Sequence, residues 1–240
     1  MTSKDVSRAL REVATVERAR SNAWFFKTGK GQYGYGDKFL GVTVPQQRKI
    51  SKDYKNLSLK EVEKLVMSPW HEERLTGVFV LVLQFQRGSQ DTKQEIYDFY
   101  IAHTNCINNW DLVDSSASYI VGPWLADKPN KMKILTKLAD SKLLWDRRIA
   151  IIATLYYICQ GRPDEVLVIA EQLLYDEHDL IQKAVGWMLR EMGKRVDVKL
   201  LENFLDQHAA TMPRTTLRYA IEKLSPKERK YYLGLKNAAI

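Results

Sequence analysis

Apolar residues recur along this chain at spacings of three and four over most of its length, the period of amphipathic helices. Val6, Leu10, Val13 and Val16 mark an opening helix that runs to about Ala23. Residues 28–37 then hold four glycines, and read as a loop in which Tyr33 and Tyr35 stand. Pro45 opens a short helix, at a position where its missing N–H costs little. Ser58-Leu-Lys-Glu61 has the form of a capping box, with Ser58 and Glu61 each answering a free backbone donor. Pro69 ends that helix. Residues 38–44 could be extended, but nothing pairs with them.

From Trp70 onward the pattern repeats. Helices are expected to begin near Trp70, Asn109, Trp145, Asp179 and Pro213, and to alternate with helices over 90–101, 131–138, 164–174 and 198–207. Aligning the apolar faces of the first set makes Arg74, Asp111, Arg148, Lys183 and Arg218 equivalent, at steps of 37, 37, 35 and 35 residues. A two-helix unit repeated at this period is the mark of a helical solenoid. The expected fold is therefore all-α, a HEAT-like helical-repeat solenoid with a concave basic groove, forming a single domain over 1–240.

Composition sharpens the picture at one point. The 240 residues are 45% hydrophobic and 28% charged, an ordinary globular balance. No apolar run approaches the roughly 20 residues that span a bilayer, and the first residues lack the apolar stretch of a secretory signal. Cys106 and Cys159 have no metal-ligand spacing and read as buried thiols in a reducing compartment. These features predict a cytoplasmic protein with no metal site. Lys and Arg number 37 against 29 Asp and Glu, a net charge of +8. That surplus favours a polyanionic partner, since each phosphate neutralised releases counterions.

Four of the five equivalent positions are cationic, so stacked repeats would line them up as a positive row. Lys183, Trp187 and Arg190 lie at i, i+4 and i+7, on one helix face, where a cation–aromatic–cation stripe suits a nucleic-acid backbone. Gly186 beside them leaves room for a ligand or a neighbouring backbone. Solvated helix ends and a core Trp187 are the plainer readings of the same residues. The second repeat breaks the row with Asn108-Asn-Trp-Asp-Leu-Val-Asp114. Asn108 or Asn109 can cap that helix, and the helix dipole accounts for Asp111. Asp114 is different. It stands four residues beyond Trp110, on the same face, where it would repel a phosphate ligand. Its use would be to stabilise a developing positive charge or to hold a water for attack.

Asn109-Trp-Asp-Leu-Val-Asp114, Trp145-Asp-Arg-Arg-Ile-Ala150 and Ile181-Gln-Lys-Ala-Val-Gly-Trp-Met-Leu-Arg-Glu191 resemble, in order and spacing, motifs of the AlkD-type alkylpurine DNA glycosylases. Phe39-Leu-Gly-Val-Thr-Val-Pro45 is similar to the N-terminal segment of that family, whereas the loop over 29–36 departs from it. The resemblance implies a monofunctional glycosylase that removes cationic N3- and N7-alkylated purines from duplex DNA in base excision repair. It would act as a monomer, without a cofactor and without strand cleavage. Matched by motif, Trp110, Asp114 and Trp187 take the catalytic places, and Arg148 takes the place of a DNA-contacting arginine. Arg147, Lys183 and Arg190 are further expected DNA contacts. The alternative is a non-catalytic DNA-binding repeat protein that recognises duplex or branched shape. A protein-interaction scaffold is the third, and the cation row disfavours it.

Overall fold

The computed structural model describes residues 1–235. Its described residues form fifteen helices and no strand; the sole β-type pairing is an isolated parallel bridge between Lys38 and Trp70. The chain divides into two compact units, Met1–Ile120 and Val121–Ile240.

The first unit holds α1 (Ser3–Glu12), α2 (Val16–Phe25), α3 (Val44–Asp53), α4 (Leu59–Val66), α5 (His71–Arg87), α6 (Gln90–Ala102) and α7 (Trp110–Asp114). The expected opening helix is broken in two. Val13 ends α1, and Thr15 starts α2 while its N–H donates to the Gly41 carbonyl at 3.1 Å. Gly41 has φ +88°, and a β-carbon there would overlap the Thr15 carbonyl oxygen. The break is thus set by a contact with residues 38–44. Val16, counted as a core position by spacing, is exposed.

α5 is the centre of this unit and is buried on nearly every side, polar residues included. Glu72, 1% exposed, accepts the N–H groups of Leu40 and Gly41 at 2.8 Å and of Val42 at 3.3 Å. A carboxylate thus takes the place of a partner strand, and these N–H groups are satisfied without a sheet. Ser58 does begin α4, but its side chain makes no cap bond. Glu61 instead accepts from the N–H and hydroxyl of Ser3 at 2.7 and 2.8 Å, serving the start of α1. Its bonds to Lys64 and to Ser3 hold its carboxyl down at about 2.

α8 (Ala117–Leu125) leads into the second unit, which holds α9 (Lys131–Ala139), α10 (Leu144–Cys159), α11 (Asp164–Gln172), α12 (Asp179–Arg195), α13 (Val198–His208), α14 (Arg214–Ala220) and α15 (Pro226–Gly234). The alternating helices therefore fall within a residue or two of where the apolar period places them. Gly186 lies where α14 crosses α12, and a β-carbon would meet the Thr216 carbonyl and the Tyr219 side chain. Of its two sequence readings, the close neighbouring backbone is the one realised. Cys106 is half-buried and Cys159 exposed, so the expected burial of Cys159 does not hold. It is the last residue of α10, past the packed part of that helix.

A hydrogen-bond device repeats at three helix starts. Ser68, Ser141 and Asp176 each accept, through the side chain, the N–H two residues on: Trp70 at 3.1 Å, Leu143 at 3.1 Å and His178 at 2.9 Å. Each of the three carbonyls in turn accepts from the side chain six residues on: Arg74 at 3.0 Å, Arg147 at 3.0 Å and Gln182 at 2.9 Å. Ser68 and Ser141 also bond an acid five residues on, Glu73 at 2.6 Å and Asp146 at 2.7 Å. This device makes Arg74 the counterpart of Arg147 and Gln182. The apolar alignment, which paired Arg74 with Arg148 and Lys183, is one residue out of register at that step.

Candidate functional site

Asn109 caps α7: its side-chain oxygen accepts the Trp110 N–H at 2.8 Å while its amide donates to Asp37 at 3.3 Å. The helix lasts only five residues. Just past it, the Ser116 hydroxyl bonds the Leu112 carbonyl at 2.6 Å and the Tyr100 hydroxyl at 2.8 Å. Back-bonding of this kind bends helices, and α8 restarts one residue later. Trp110 and Asp114, four apart, are half-buried, while Asp111, Leu112 and Val113 face inward and are buried. Trp110 and Asp114 therefore both reach the surface from this short helix.

Trp110 is held from several directions. Its ring stacks on Phe26 at 5.3 Å between centroids with 22° between planes, and meets the edge of Phe25 at 5.9 Å. Its indole N–H donates to the Tyr33 hydroxyl at 3.2 Å. Tyr33, which stands in the glycine-rich loop, so helps fix the ring; Tyr35 is exposed. Phe26 stacks in turn on Phe39 at 5.2 Å.

Beneath this aromatic wall lies an ion cluster that spacing gave no means of assembling. His71, 2% exposed, bonds Asp111 through Nε2 at 2.8 Å and faces Asp37 through Nδ1 at 3.4 Å. Arg74 forms an ion pair with the other Asp37 oxygen at 2.7 Å. The rings of Phe26 and Phe39 lie 4.7 and 4.8 Å from the imidazole. Burial pushes the His71 pKa down, but the Asp111 carboxylate, with help from Asp37, outweighs it and holds the group up at about 9. Burial likewise raises Asp37, and His71 and Arg74 outweigh it, leaving that carboxyl below its usual range. His71 is therefore an imidazolium at neutral pH. Through Asp111 it fastens α7, and with it Trp110 and Asp114, to the start of α5. The sequence signal was slight: a histidine and an acid near helix starts and a second acid at the end of the glycine-rich loop, far apart in the chain.

Asp114, Trp110 and Phe25 line a cleft of about 720 Å³ within the first unit, with Arg18 of α2 and Arg48 of α3 also on its wall. Both arginines are exposed, and the Arg48 guanidinium rests 4.2 Å over the Phe79 ring. Neither was singled out in the sequence. A carboxylate and an aromatic face inside an open cleft with cations on its wall can stabilise a positive charge held there and bind anionic groups beside it. Among the described residues no group of three or more His, Cys, Asp or Glu could hold a metal ion.

The other expected site residues belong to the second unit. Lys183, Trp187 and Arg190 are all half-buried on α12, so the stripe does reach the surface. Lys183 pairs with Asp179 at 2.8 Å, and Arg190 with Glu222 and, at 3.7 Å, Glu191. Arg147 bonds Asp176 at 2.7 Å and the carbonyls of Ser141 and Lys142 at 3.0 and 3.2 Å. Arg148, 5% exposed, donates to the Leu180 carbonyl. Arg147 and Arg148 thus fasten α10 to the segment that opens α12.

Fold and site together define a helical-repeat protein with an acid-and-aromatic cleft. A family model described as DNA alkylation repair enzyme matches residues 6–224, and the chain belongs to that family. Two solved structures share the fold. One is a predicted DNA alkylation repair enzyme from Enterococcus faecalis, at TM-score 0.70 and 18% identity, covering 89% of this chain and 97% of that one. The other represents a family related to the HEAT-like repeat DNA glycosylases with affinity for branched DNA structures, at TM-score 0.61 and 12% identity, covering 100% of this chain and 99% of that one. Among curated proteins nothing matches. The all-α, HEAT-like repeat architecture expected from the sequence is the one found. No helix of the described residues is long and apolar enough to cross a membrane.

Proposed function

We propose that this protein is a DNA glycosylase that hydrolyses the N-glycosidic bond of cationic N3- or N7-alkylated purines in duplex DNA. The observation that carries this reading is Asp114 beside the braced Trp110 ring in an open cleft with Arg18 and Arg48 on its wall. An alkylated purine already bears a positive charge and leaves without a general acid. What remains is the cost of an oxocarbenium-like sugar, the species that carboxylates stabilise in glycoside hydrolysis. Asp114 supplies that negative charge and orients the attacking water, and the Trp110 ring offers its face to the electron-poor sugar. Arg18 and Arg48 bind the phosphates next to it. On the second unit, Trp187 and Lys183 with Arg190 form a further contact to DNA, with Arg147 and Arg148 as charges behind that face. No lysine attacks the sugar, so base release proceeds without strand cleavage, and the protein acts as a monomer with no cofactor.

The competing reading, a DNA binder without chemistry, has in its favour the branched-DNA affinity of one structural relative. Base release from methylated duplex DNA separates the two. Removing one preorganised charge partner of a transition state typically costs about 10²–10³ in rate. Asp114→Asn is therefore expected to lower release by about that factor. DNA binding should hold or tighten, because a charge that repels phosphate has gone. Trp187→Ala is expected to slow release as well. Tight, salt-sensitive binding by the wild type with no base released would overturn the glycosylase reading in favour of the binder.

A further inference from the structure

Trp24 is the most exposed large apolar residue among those described, at 84%, and it stands at the end of α2 beside Phe25, which is 57% exposed. An exposed indole of this size loses its burial energy, and here its chemical surroundings are unusual. Residues 18–30 contain Arg18, Arg20, Lys27 and Lys30 and no acid. All four cations are exposed, and among the described residues none of them forms an ion pair. That sets them apart from Arg147, Lys183 and Arg190, which all face carboxylates. Arg20 precedes Trp24 by one helical turn and so lies on its face. Lys27 follows the helix in the left-handed region at φ +53°, a conformation that non-glycine residues rarely adopt.

Two surface hollows share Trp24 and Phe25 as wall. One continues onto Arg20, Ser21 and Asn22; the other onto Lys27, Thr28 and Gln32. Phe25 also lines the cleft of Asp114 and touches the edge of Trp110. Phe25 therefore borders both the surface hollows at Trp24 and the candidate active cleft.

We propose that Trp24 is a stacking platform for an unpaired DNA base, with Arg20 and Lys27 on the phosphates either side of it. The proposal rests on DNA being the ligand, as above, and adds a subsite outside the cleft. A paired duplex hides the faces of its bases, and only a displaced or bulged base offers one to an indole. The unpaired cations suit a nucleotide better than an apolar protein surface, which would leave them buried and unsatisfied. Because the hollows adjoin the cleft through Phe25, the base held there lies close along the strand to the nucleotide at Asp114.

The test compares a fully paired 20-mer duplex with the same duplex carrying one bulged adenine, using wild type, Trp24→Ala and Trp24→Phe. Stacking on an aromatic side chain changes affinity by roughly 5- to 150-fold per base. Wild type is expected to prefer the bulged duplex, Trp24→Ala to lose that preference by such a factor, and Trp24→Phe to keep most of it. Affinity for the paired duplex should change less than about threefold, well below that stacking range. Equal loss on both duplexes, or no loss on either, would overturn the proposal. Base release is measured alongside on methylated duplex. Loss of the bulge preference in Trp24→Ala, in a wild type that releases no base, would sustain this subsite and sink the glycosylase. Base release with no Trp24 effect on binding would do the reverse.

Discussion

The His71–Asp111 bond ought to be visible in the pH dependence of stability. The His71 pKa lies at about 9 in the folded protein against 6.5 for an ordinary histidine. A shift of that size corresponds to about 3 kcal/mol, at ~1.4 kcal/mol per pKa unit. Because the folded value is the higher one, this stabilisation is whole below about pH 6.5 and is lost as pH rises through about 9. About 2 kcal/mol of it should go between pH 7 and pH 9, since the loss follows ~1.4 kcal/mol per pH unit and levels off near the folded pKa. At a urea slope of ~3 kcal/mol/M this is a fall of about 0.7 M in the unfolding midpoint. His71→Gln keeps a hydrogen-bonding side chain but cannot take the charge. It is expected to be less stable than wild type at pH 7, because two buried carboxylates lose a cation.

The decisive quantity is the difference in unfolding free energy between wild type and His71→Gln, followed from pH 7 to pH 9. Groups that titrate alike in both proteins cancel in that difference. The gap should narrow by about 2 kcal/mol across the window, since the wild type alone loses the imidazolium. A gap that stays constant would mean that His71 is neutral in the folded protein, and the account of how α7 is fastened would fall with it.

Gly41→Ala is expected to lower stability by roughly 2–5 kcal/mol, from the left-handed backbone and the overlap with Thr15 together. A thermal melt should then show a midpoint about 10 °C lower, at ~2–4 °C per kcal/mol for a chain of this size. Glu222→Gln removes the partner of Arg190 and is expected to tighten DNA binding by up to about fivefold, the range of an exposed ion pair. Arg190→Ala should weaken binding and make the slope of log K against log salt shallower by about 1, as read in a salt titration. A thiol reagent should label the native protein quickly at the exposed Cys159 and slowly at Cys106, whose thiol burial pushes up.

The alternating helices were legible because apolar spacing is a local property: α6, α9, α11 and α13 lie within a residue or two of their expected bounds. Asp114 and Trp110 were legible for the same reason, since four residues on one helix face need no knowledge of the rest of the fold. The break between α1 and α2 was not, because it depends on Gly41, far along the chain from Thr15. Nor was the capping of α1 by Glu61, which spacing assigned to Ser58 three residues before it.

Charge was the least legible property, and the physical reason is specific. Whether a cation is available to a phosphate depends on what already faces it, and that is a tertiary fact. The row drawn from apolar alignment begins at Arg74, which spends its guanidinium on the Ser68 carbonyl and Asp37 at 4% exposure. The helices of Arg74 and Arg148 are buried on nearly every side, so their apolar residues mark no single face and could not tell Arg147 from Arg148 as the counterpart of Arg74. The hydrogen bonds can, because Arg74 and Arg147 both reach back six residues to a serine carbonyl. Those two arginines repeat because each ties down a helix start. Arg18, Arg20, Lys27 and Lys30 are exposed and form no ion pair among the described residues, and they belong to no repeat and follow no period. A ligand made of phosphates breaks no ion pair there, and beside them stand the cleft of Asp114 and the bare indole of Trp24.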